Sequence, residues 1–141
     1  MKANHISILI VDDDEPAREV LESFLRDEYR CLTAASAEEA VGLLAEMRFN
    51  LVITDLEMPG ASGLKLCQII KQTIPETIVL IVSGMRDKRY QVEARQQGAF
   101  DYLTKPVDLS LLSRTIKCAL RDKTDRERAV GRSTELQPHQ R

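Results

Sequence analysis

The sequence predicts a doubly wound α/β fold: a five-stranded parallel sheet with helices on both faces. Three observations carry this reading. Apolar, largely β-branched runs recur along the chain, each gives way to a helical pattern with one apolar stripe, and right-handed crossovers leave few other ways to cover such strands on both sides. The first run, Ile6-Ser7-Ile8-Leu9-Ile10-Val11, stops abruptly at Asp12-Asp13-Asp14-Glu15. Pro16 fits the first turn of a helix, where its missing N–H costs nothing. Ala17, Val20, Leu21, Phe24 and Leu25 then recur at helical spacing and form the predicted inward stripe.

Cys31-Leu32-Thr33-Ala34 is the weakest of the five strand candidates. Ser36, with Glu39 three residues on, forms a capping box that opens a helix with Ala40, Val41, Leu44 and Met47 facing inward. Leu51-Val52-Ile53-Thr54-Asp55 is again an apolar run ending in a carboxylate, and Met58-Pro59-Gly60-Ala61-Ser62-Gly63 after it can only be a loop. A helix follows from Leu64 to Lys71, and Pro75 separates it from the fourth strand, Ile78-Val79-Leu80-Ile81-Val82, which ends at Ser83-Gly84. A polar helix spans about Asp87 to Gln97, with Gly98 as its stop signal. Phe100-Asp101-Tyr102-Leu103 is the fifth strand, Lys105-Pro106 follows it, and the last helix starts at Asp108 with Leu109, Leu112, Ile116 and Ala119 or Leu120 toward the sheet.

Composition bounds the function. The 141 residues carry 20 Lys plus Arg against 22 Asp plus Glu, a net charge of -2, and 43% apolar residues. That is ordinary globular stock for one domain and one core. The absence of a concentrated basic patch argues against direct nucleic-acid binding and against anionic membranes. The apolar part of the first run is far too short for a signal peptide or a membrane span, and Cys31, Cys67 and Cys118 form no CxxC pair and no even set for disulfides. The expectation is a soluble, cytoplasmic protein. Residues 5–120 read as the folded unit. Residues 121–141, with six basic and four acidic residues and little to bury, read as a charged tail or linker whose start extends the last helix and whose end is disordered.

In an open parallel sheet, ligands bind outside the carboxyl ends of the strands. Those ends here deliver Asp12 and Asp13, Asp55, Ser83 and, after the fifth strand, Lys105. Carboxylates that crowd together repel unless a cation shares the site, and hard oxygen ligands favour Mg²⁺. No further carboxylate or His stands at another strand end, so the ion is weakly held and zinc is disfavoured. A carboxylate, a Mg²⁺ site, a hydroxyl and an ammonium are also what phosphoryl transfer needs. Asp55, alone at its strand end, is the candidate nucleophile, while the adjacent Asp12 and Asp13 are better placed to hold the ion. Each residue also has a plainer reading: Asp12 to Glu15 as a polar strand end and helix-dipole partners, Asp55 as a loop-entry residue, Ser83 as a cap, Lys105 as a solvated amine, Tyr102 as a half-buried strand aromatic. Asp14 and Glu15 fit that reading best, and only the joint placement after four different strands favours chemistry.

The chain resembles the receiver domain of two-component response regulators. The resemblance rests on Ile8-Leu9-Ile10-Val11-Asp12-Asp13-Asp14, on Asp55-Leu56-Glu57-Met58-Pro59-Gly60 with Gly63, on Val82-Ser83-Gly84, and on Gly98-Ala99-Phe100-Asp101-Tyr102-Leu103-Thr104-Lys105-Pro106. Order and spacing match as well, over about residues 5 to 120. The likeness implies a flavodoxin-like (βα)5 domain with strand order 2-1-3-4-5. It implies that Asp55 accepts a phosphoryl group from the phosphohistidine of a sensor histidine kinase or a histidine phosphotransfer protein. Asp12 and Asp13 would organise Mg²⁺, with Asp13 and Asp55 as direct ligands and Glu57 giving its backbone carbonyl. Ser83 and Lys105 would bind phosphoryl oxygens, the peptide before Pro106 would be cis, and Ser83 and Tyr102 would form a switch acting on the surface of the fourth helix, fifth strand and fifth helix.

Ser83 stands where the family often has Thr, which keeps the hydroxyl and loses a methyl. Gly84 leaves the mouth of the pocket open to small phosphodonors, and Glu57 bears on the lifetime of the phosphoryl group. The expected function is a phosphorylation-controlled interaction switch with slow self-dephosphorylation, not a turnover enzyme. Two rivals are a contact-only pseudo-receiver and a haloacid-dehalogenase-like phosphatase, which would want Asp where Glu57 stands. Homodimerisation on phosphorylation is a further expectation, although Tyr90, Val92 and Ala94 fit a core stripe as well as an interface. The output partner or linked output domain is not encoded in these residues.

Overall fold

The computed structural model describes residues 5–136, with the backbone alone over 123–136. Ten elements alternate: β1 (Ser7–Val11), α1 (Glu15–Leu25), β2 (Arg30–Ala34), α2 (Ala37–Glu46), β3 (Leu51–Thr54), α3 (Gly63–Thr73), β4 (Ile78–Ser83), α4 (Lys88–Gln96), β5 (Asp101–Thr104) and α5 (Leu109–Leu136). The five strands form one parallel sheet in the order β2-β1-β3-β4-β5. The weak second candidate is a true edge strand, more exposed than its neighbours, which explains its thin apolar signal.

Because successive strand residues point to opposite faces, the central strands divide their side chains between two cores. Leu9, Val11, Val52, Val79 and Ile81 pack with Ala37 and Ala40 of α2, Leu66, Cys67 and Ile70 of α3, and Ala94 of α4. Ile8, Ile10, Ile53, Leu80 and Val82 pack on the other face with Leu21 and Leu25 of α1 and Leu112, Ile116 and Ala119 of α5. Each fully buried Leu, Ile or Val contributes about 1.5–3 kcal/mol. Both faces of β1, β3 and β4 are covered, so those strands need no polar alternation and show none.

The helix starts follow their capping residues. Asp14 accepts from the Ala17 amide, Ser36 from Glu39, Ser62 from Lys65 and Asp87 from Arg89. The capping box closes from the other side as well, with the Ala35 amide on Glu39 Oε1 at 2.7 Å. Gly98, at φ +105°, turns the chain out of α4, a conformation open to glycine at no steric cost.

The predicted stripes on α1 and α2 are too wide. Val20 and Phe24 are 53% and 40% exposed, and only Leu21 and Leu25 of that stripe are buried. A helix lying along a sheet buries a narrow row at i and i+4, and Val20 and Phe24 lie on the row beside it. On α2, Val41 and Met47 are exposed while Ala37 and Ala40 are buried and Leu43 and Leu44 pack on the core. Met47 has left the helix, with φ -139° as its C-cap, so helical spacing no longer governs where it points. On α4, Ala94 is buried and Val92 is exposed, which splits the Tyr90, Val92 and Ala94 stripe. α5 continues as helical backbone through the charged segment to Leu136. The disorder expected at the end of the tail falls in part on residues 137–141, outside the described residues. Among the described residues no helix is long and apolar enough to cross a membrane.

Candidate functional site

Strand register builds the site. Val11 pairs with Thr54 and Ser83 with Thr104, so Asp12, Asp55 and Lys105 are each the first residue past a paired end, and Ser83 is the last of its strand. Main-chain bonds carry the ladder one step further: the Asp55 amide donates to the Val11 carbonyl at 2.9 Å and the Lys105 amide to the Ser83 carbonyl at 2.8 Å. Four segments distant in sequence thus reach one rim, the carboxyl edge of the sheet.

Asp12 is 3% exposed and spends both carboxylate oxygens: Oδ1 accepts from the Asp14 amide at 2.9 Å, and Oδ2 from Lys105 Nζ at 3.0 Å. Asp55 accepts from the Leu56 amide on Oδ1 at 2.6 Å and from the same ammonium on Oδ2 at 3.0 Å. Lys105 therefore bridges the two carboxylates. Burial disfavours its charge, but the hydrogen bonds it donates to Asp12 and Asp55, together with their negative charges, outweigh that and hold the ammonium above the ordinary lysine range. The Lys105–Pro106 peptide is cis. Asp13, exposed at the mouth, completes a group of three carboxylates, each offering an oxygen within 4.8 Å of the others. One ammonium against three carboxylates leaves an excess of negative charge that a divalent cation would offset, and an all-oxygen donor set suits a hard ion. The residues fit such a group.

The neighbouring acids behave differently. Asp14 caps α1 and Glu15 lies in its first turn, the helix-dipole role expected for both. Glu57 is exposed in the loop after β3, and its side chain lies outside the three-carboxylate group.

Ser83 is 1% exposed, and its Oγ accepts from the Met85 amide at 3.1 Å. The Met85 carbonyl in turn accepts from the Tyr102 hydroxyl at 2.6 Å. Tyr102 is 6% exposed, its ring turned inward against the core shared by α2, α3 and α4. Burial raises its phenol above the ordinary range. Ser83 and Tyr102, 19 residues apart, are thus tied to one backbone unit at Met85. An added Cβ at Gly84 would meet nothing within 4 Å, so the mouth beside Ser83 is open.

Two arginines at the rim carried no sequence signal strong enough to find them. Arg18 Nη1 donates to the Asp12 carbonyl at 2.6 Å, and Arg86 Nη2 to the Lys105 carbonyl at 3.1 Å. Arg18 follows the cap Asp14 by one helical turn, which places it back over the strand end. Arg86 lies in a loop whose path no local pattern encodes.

A five-stranded doubly wound sheet with three acids and a lysine at its carboxyl edge is the architecture of signalling receiver domains. The family model described as "Response regulator receiver domain" matches residues 8–117. The chain belongs to that family. It is 42% identical over 114 residues to the "Response regulator protein PilR" of Pseudomonas aeruginosa, covering 80% of this chain and 26% of that protein. It is 36% identical over 116 residues to the "Transcriptional regulatory protein AfsQ1" of Streptomyces coelicolor, covering 82% and 51%. The chain therefore spans about a quarter and about half of these two relatives. Among solved structures, a response regulator receiver domain protein from Clostridium thermocellum superposes with a TM-score of 0.79 at 34% identity, covering 84% of this chain and 97% of that one. The signal receiver domain of an HD domain-containing protein from Pseudomonas fluorescens gives 0.81 at 30%, covering 85% and 98%. As a receiver domain the chain is a signalling module, in keeping with a limited phosphoryl transfer and dephosphorylation of its own, and the dehalogenase-like phosphatase reading is set aside.

Proposed function

We propose that Asp55 accepts a phosphoryl group from the phosphohistidine of a sensor histidine kinase or a histidine phosphotransfer protein, and that the resulting aspartyl phosphate controls an output partner or a linked output domain. The observation that carries this reading is the Lys105 ammonium held between Asp12 and Asp55 beside Asp13. In the transfer, an Asp55 carboxylate oxygen bonds to phosphorus as the P–N bond to imidazole breaks, and the imidazole leaves with the bonding pair. Lys105 is placed to pair with one oxygen of the transferred group and the Ser83 hydroxyl to donate to another. Asp12, Asp13, Asp55 and the Glu57 carbonyl would hold Mg²⁺, which when bound neutralises charge on the phosphoryl oxygens.

The switch follows from charge. A phosphoryl group brings about -1.5 to -2 charges and strong acceptors, and it favours whichever arrangement of Ser83 turns its donor toward the site. Since Ser83 and Tyr102 share Met85, that choice reaches α4, β5 and α5, the surface proposed to meet the partner or a second copy of the chain. Residues 5–120 would form this receiver unit and residues 121–141 a tail or linker, in a cytoplasmic protein that itself contacts neither nucleic acid nor membrane.

The test is intact mass after incubation with acetyl phosphate and Mg²⁺. One added phosphoryl group of about 80 Da, dependent on Mg²⁺ and lost in Asp55→Asn, is expected. If neither acetyl phosphate nor a phosphorylated kinase labels Asp55, the domain works by contact alone.

A further inference from the structure

The Lys105 peptide is fixed at both ends by β4 and the loop that follows it. Its amide donates to the Ser83 carbonyl at 2.8 Å, a continuation of the sheet. Its carbonyl lies beyond the last ladder pair, Ser83 with Thr104, and accepts instead from Arg86 Nη2 at 3.1 Å. The preceding residue of that loop, Met85, holds the Ser83 hydroxyl through its amide and the Tyr102 hydroxyl through its carbonyl. Consecutive residues of one short loop are therefore bonded to the buried hydroxyl, to the inward tyrosine and to the main chain of the lysine that spans Asp12 and Asp55.

We propose that Arg86 is a positioning residue: through the Lys105 carbonyl it sets the reach of the ammonium over Asp55 and makes that reach depend on the position of the loop between β4 and α4. The proposal rests on the reading of Asp55 as phosphoryl acceptor. An ammonium at the end of four methylenes has a wide range of positions, and with its amide fixed, the orientation of its carbonyl decides where the side chain begins. A loop that moves with Ser83 carries Arg86 with it, so Lys105 and Ser83 would approach or leave the phosphoryl oxygens together. Arg86 is exposed and touches neither carboxylate through any hydrogen bond in the described residues, which separates its role from that of the groups meeting the phosphate.

Arg86→Gln in the full chain tests this. Labelling of Asp55 by acetyl phosphate is followed by intact mass across donor concentrations, at low and high salt. Positioning predicts a limiting rate about threefold to tenfold lower, the effect of losing one orienting hydrogen bond, at both salt concentrations, with the half-saturating donor concentration unchanged and the thermal midpoint at most slightly lower. If Arg86 merely attracts the anionic donor, the substitution raises the half-saturating concentration, and only at low salt, which overturns the proposal. The bond itself is read in the resting protein from a carbon-detected carbonyl–nitrogen spectrum, which reports the Lys105 carbonyl through the Pro106 nitrogen. An upfield shift in Arg86→Gln is expected, and an unchanged carbonyl overturns the proposal without reference to phosphorylation. A shifted carbonyl with an unchanged limiting rate also overturns it. A wild-type chain that takes no phosphoryl group from acetyl phosphate or phosphoramidate fails the acceptor reading instead; the positioning role falls with it, while the carbonyl shift still records the bond.

Discussion

Gly63, the first residue of α3, lies with its Cα face directly on the Asp55 main chain: a Cβ at Gly63 would overlap the Asp55 carbonyl oxygen. The Gly63 amide closes the same loop by donating to the Leu56 carbonyl at 2.8 Å. Backbone cannot yield as a flexible side chain can, so Asp55 and the start of α3 are placed with respect to each other by the absence of one methyl group.

Gly63→Ala must therefore push the loop between β3 and α3 away from Asp55. Overpacking of this kind costs about 1–3 kcal/mol, and urea unfolding should show a loss of that order with an unchanged slope. Labelling of Asp55 should slow as well, since the main chain of the proposed acceptor is displaced. Gly42 is the control: a Cβ there meets nothing within 4 Å, and in mid-α2 alanine should be neutral or stabilising by about 0.5–1 kcal/mol.

Mg²⁺ should stabilise the folded chain, because Asp12, Asp13 and Asp55 converge only when the sheet is formed. A site of about 1 mM affinity contributes about 1.4 kcal/mol at tenfold excess, visible as a rise in thermal midpoint. Asp13→Asn should abolish the rise and leave the metal-free midpoint equal to or above that of the parent, since Asp13 is exposed, makes no side-chain hydrogen bond among those of the described residues, and repels Asp12 and Asp55 when no ion is bound. A midpoint rise that survives the substitution would place the ion elsewhere.

Tyr102→Phe keeps the ring in its core and removes the donor to Met85. The lost bond is worth about 0.5–1.5 kcal/mol, but the more telling effect is local. With the Met85 carbonyl released, amide exchange at Met85 and Arg86 should quicken while that of Leu80 and Ile81 in β4 does not. Equal acceleration across β4 would mean that the ring, rather than the hydroxyl, had been disturbed.

The parts of the site that could be read in the sequence are those that end apolar runs. Asp12, Asp55 and Ser83 each stop a buried strand, and Lys105 follows one, so parallel topology alone brings them to a single edge. Arg18 and Arg86 escape such a reading because their partners are carbonyl oxygens of Asp12 and Lys105, groups every residue has and whose positions depend on loop paths. Tyr102 could be read as a strand aromatic, but its tie to Met85 could not. The stripe errors at Val20, Phe24 and Val41 have a different source: periodicity gives the direction of a helix face, whereas the width of the buried row depends on how flat the helix lies on the sheet; Met47 is exposed because the helix ends before it.

Cys67 offers a test of the core by pH. Its thiol lies within α3, fully buried, with Sγ 3.5 Å from the Gln97 carbonyl, and burial, partly offset by Lys71, pushes it up to about 11. In the unfolded chain an ordinary cysteine titrates near 8.5–9, so between these values the folded state binds the extra proton. Stability from this group is complete below the unfolded value and is lost as pH rises through the folded one, a separation of about two units being worth about 3 kcal/mol. Urea unfolding from pH 8 to 11 should show a decline that is shallower in Cys67→Ala, even though the variant starts lower for want of the sulfur. At pH 8 the thiol is protonated in the folded state and sealed in the core, so iodoacetamide should leave Cys67 unmodified until the chain opens. Prompt alkylation of Cys67 under native conditions would show that α3 separates from the sheet far more readily than the burial of Leu66, Cys67 and Ile70 with Val52, Val79 and Ile81 allows.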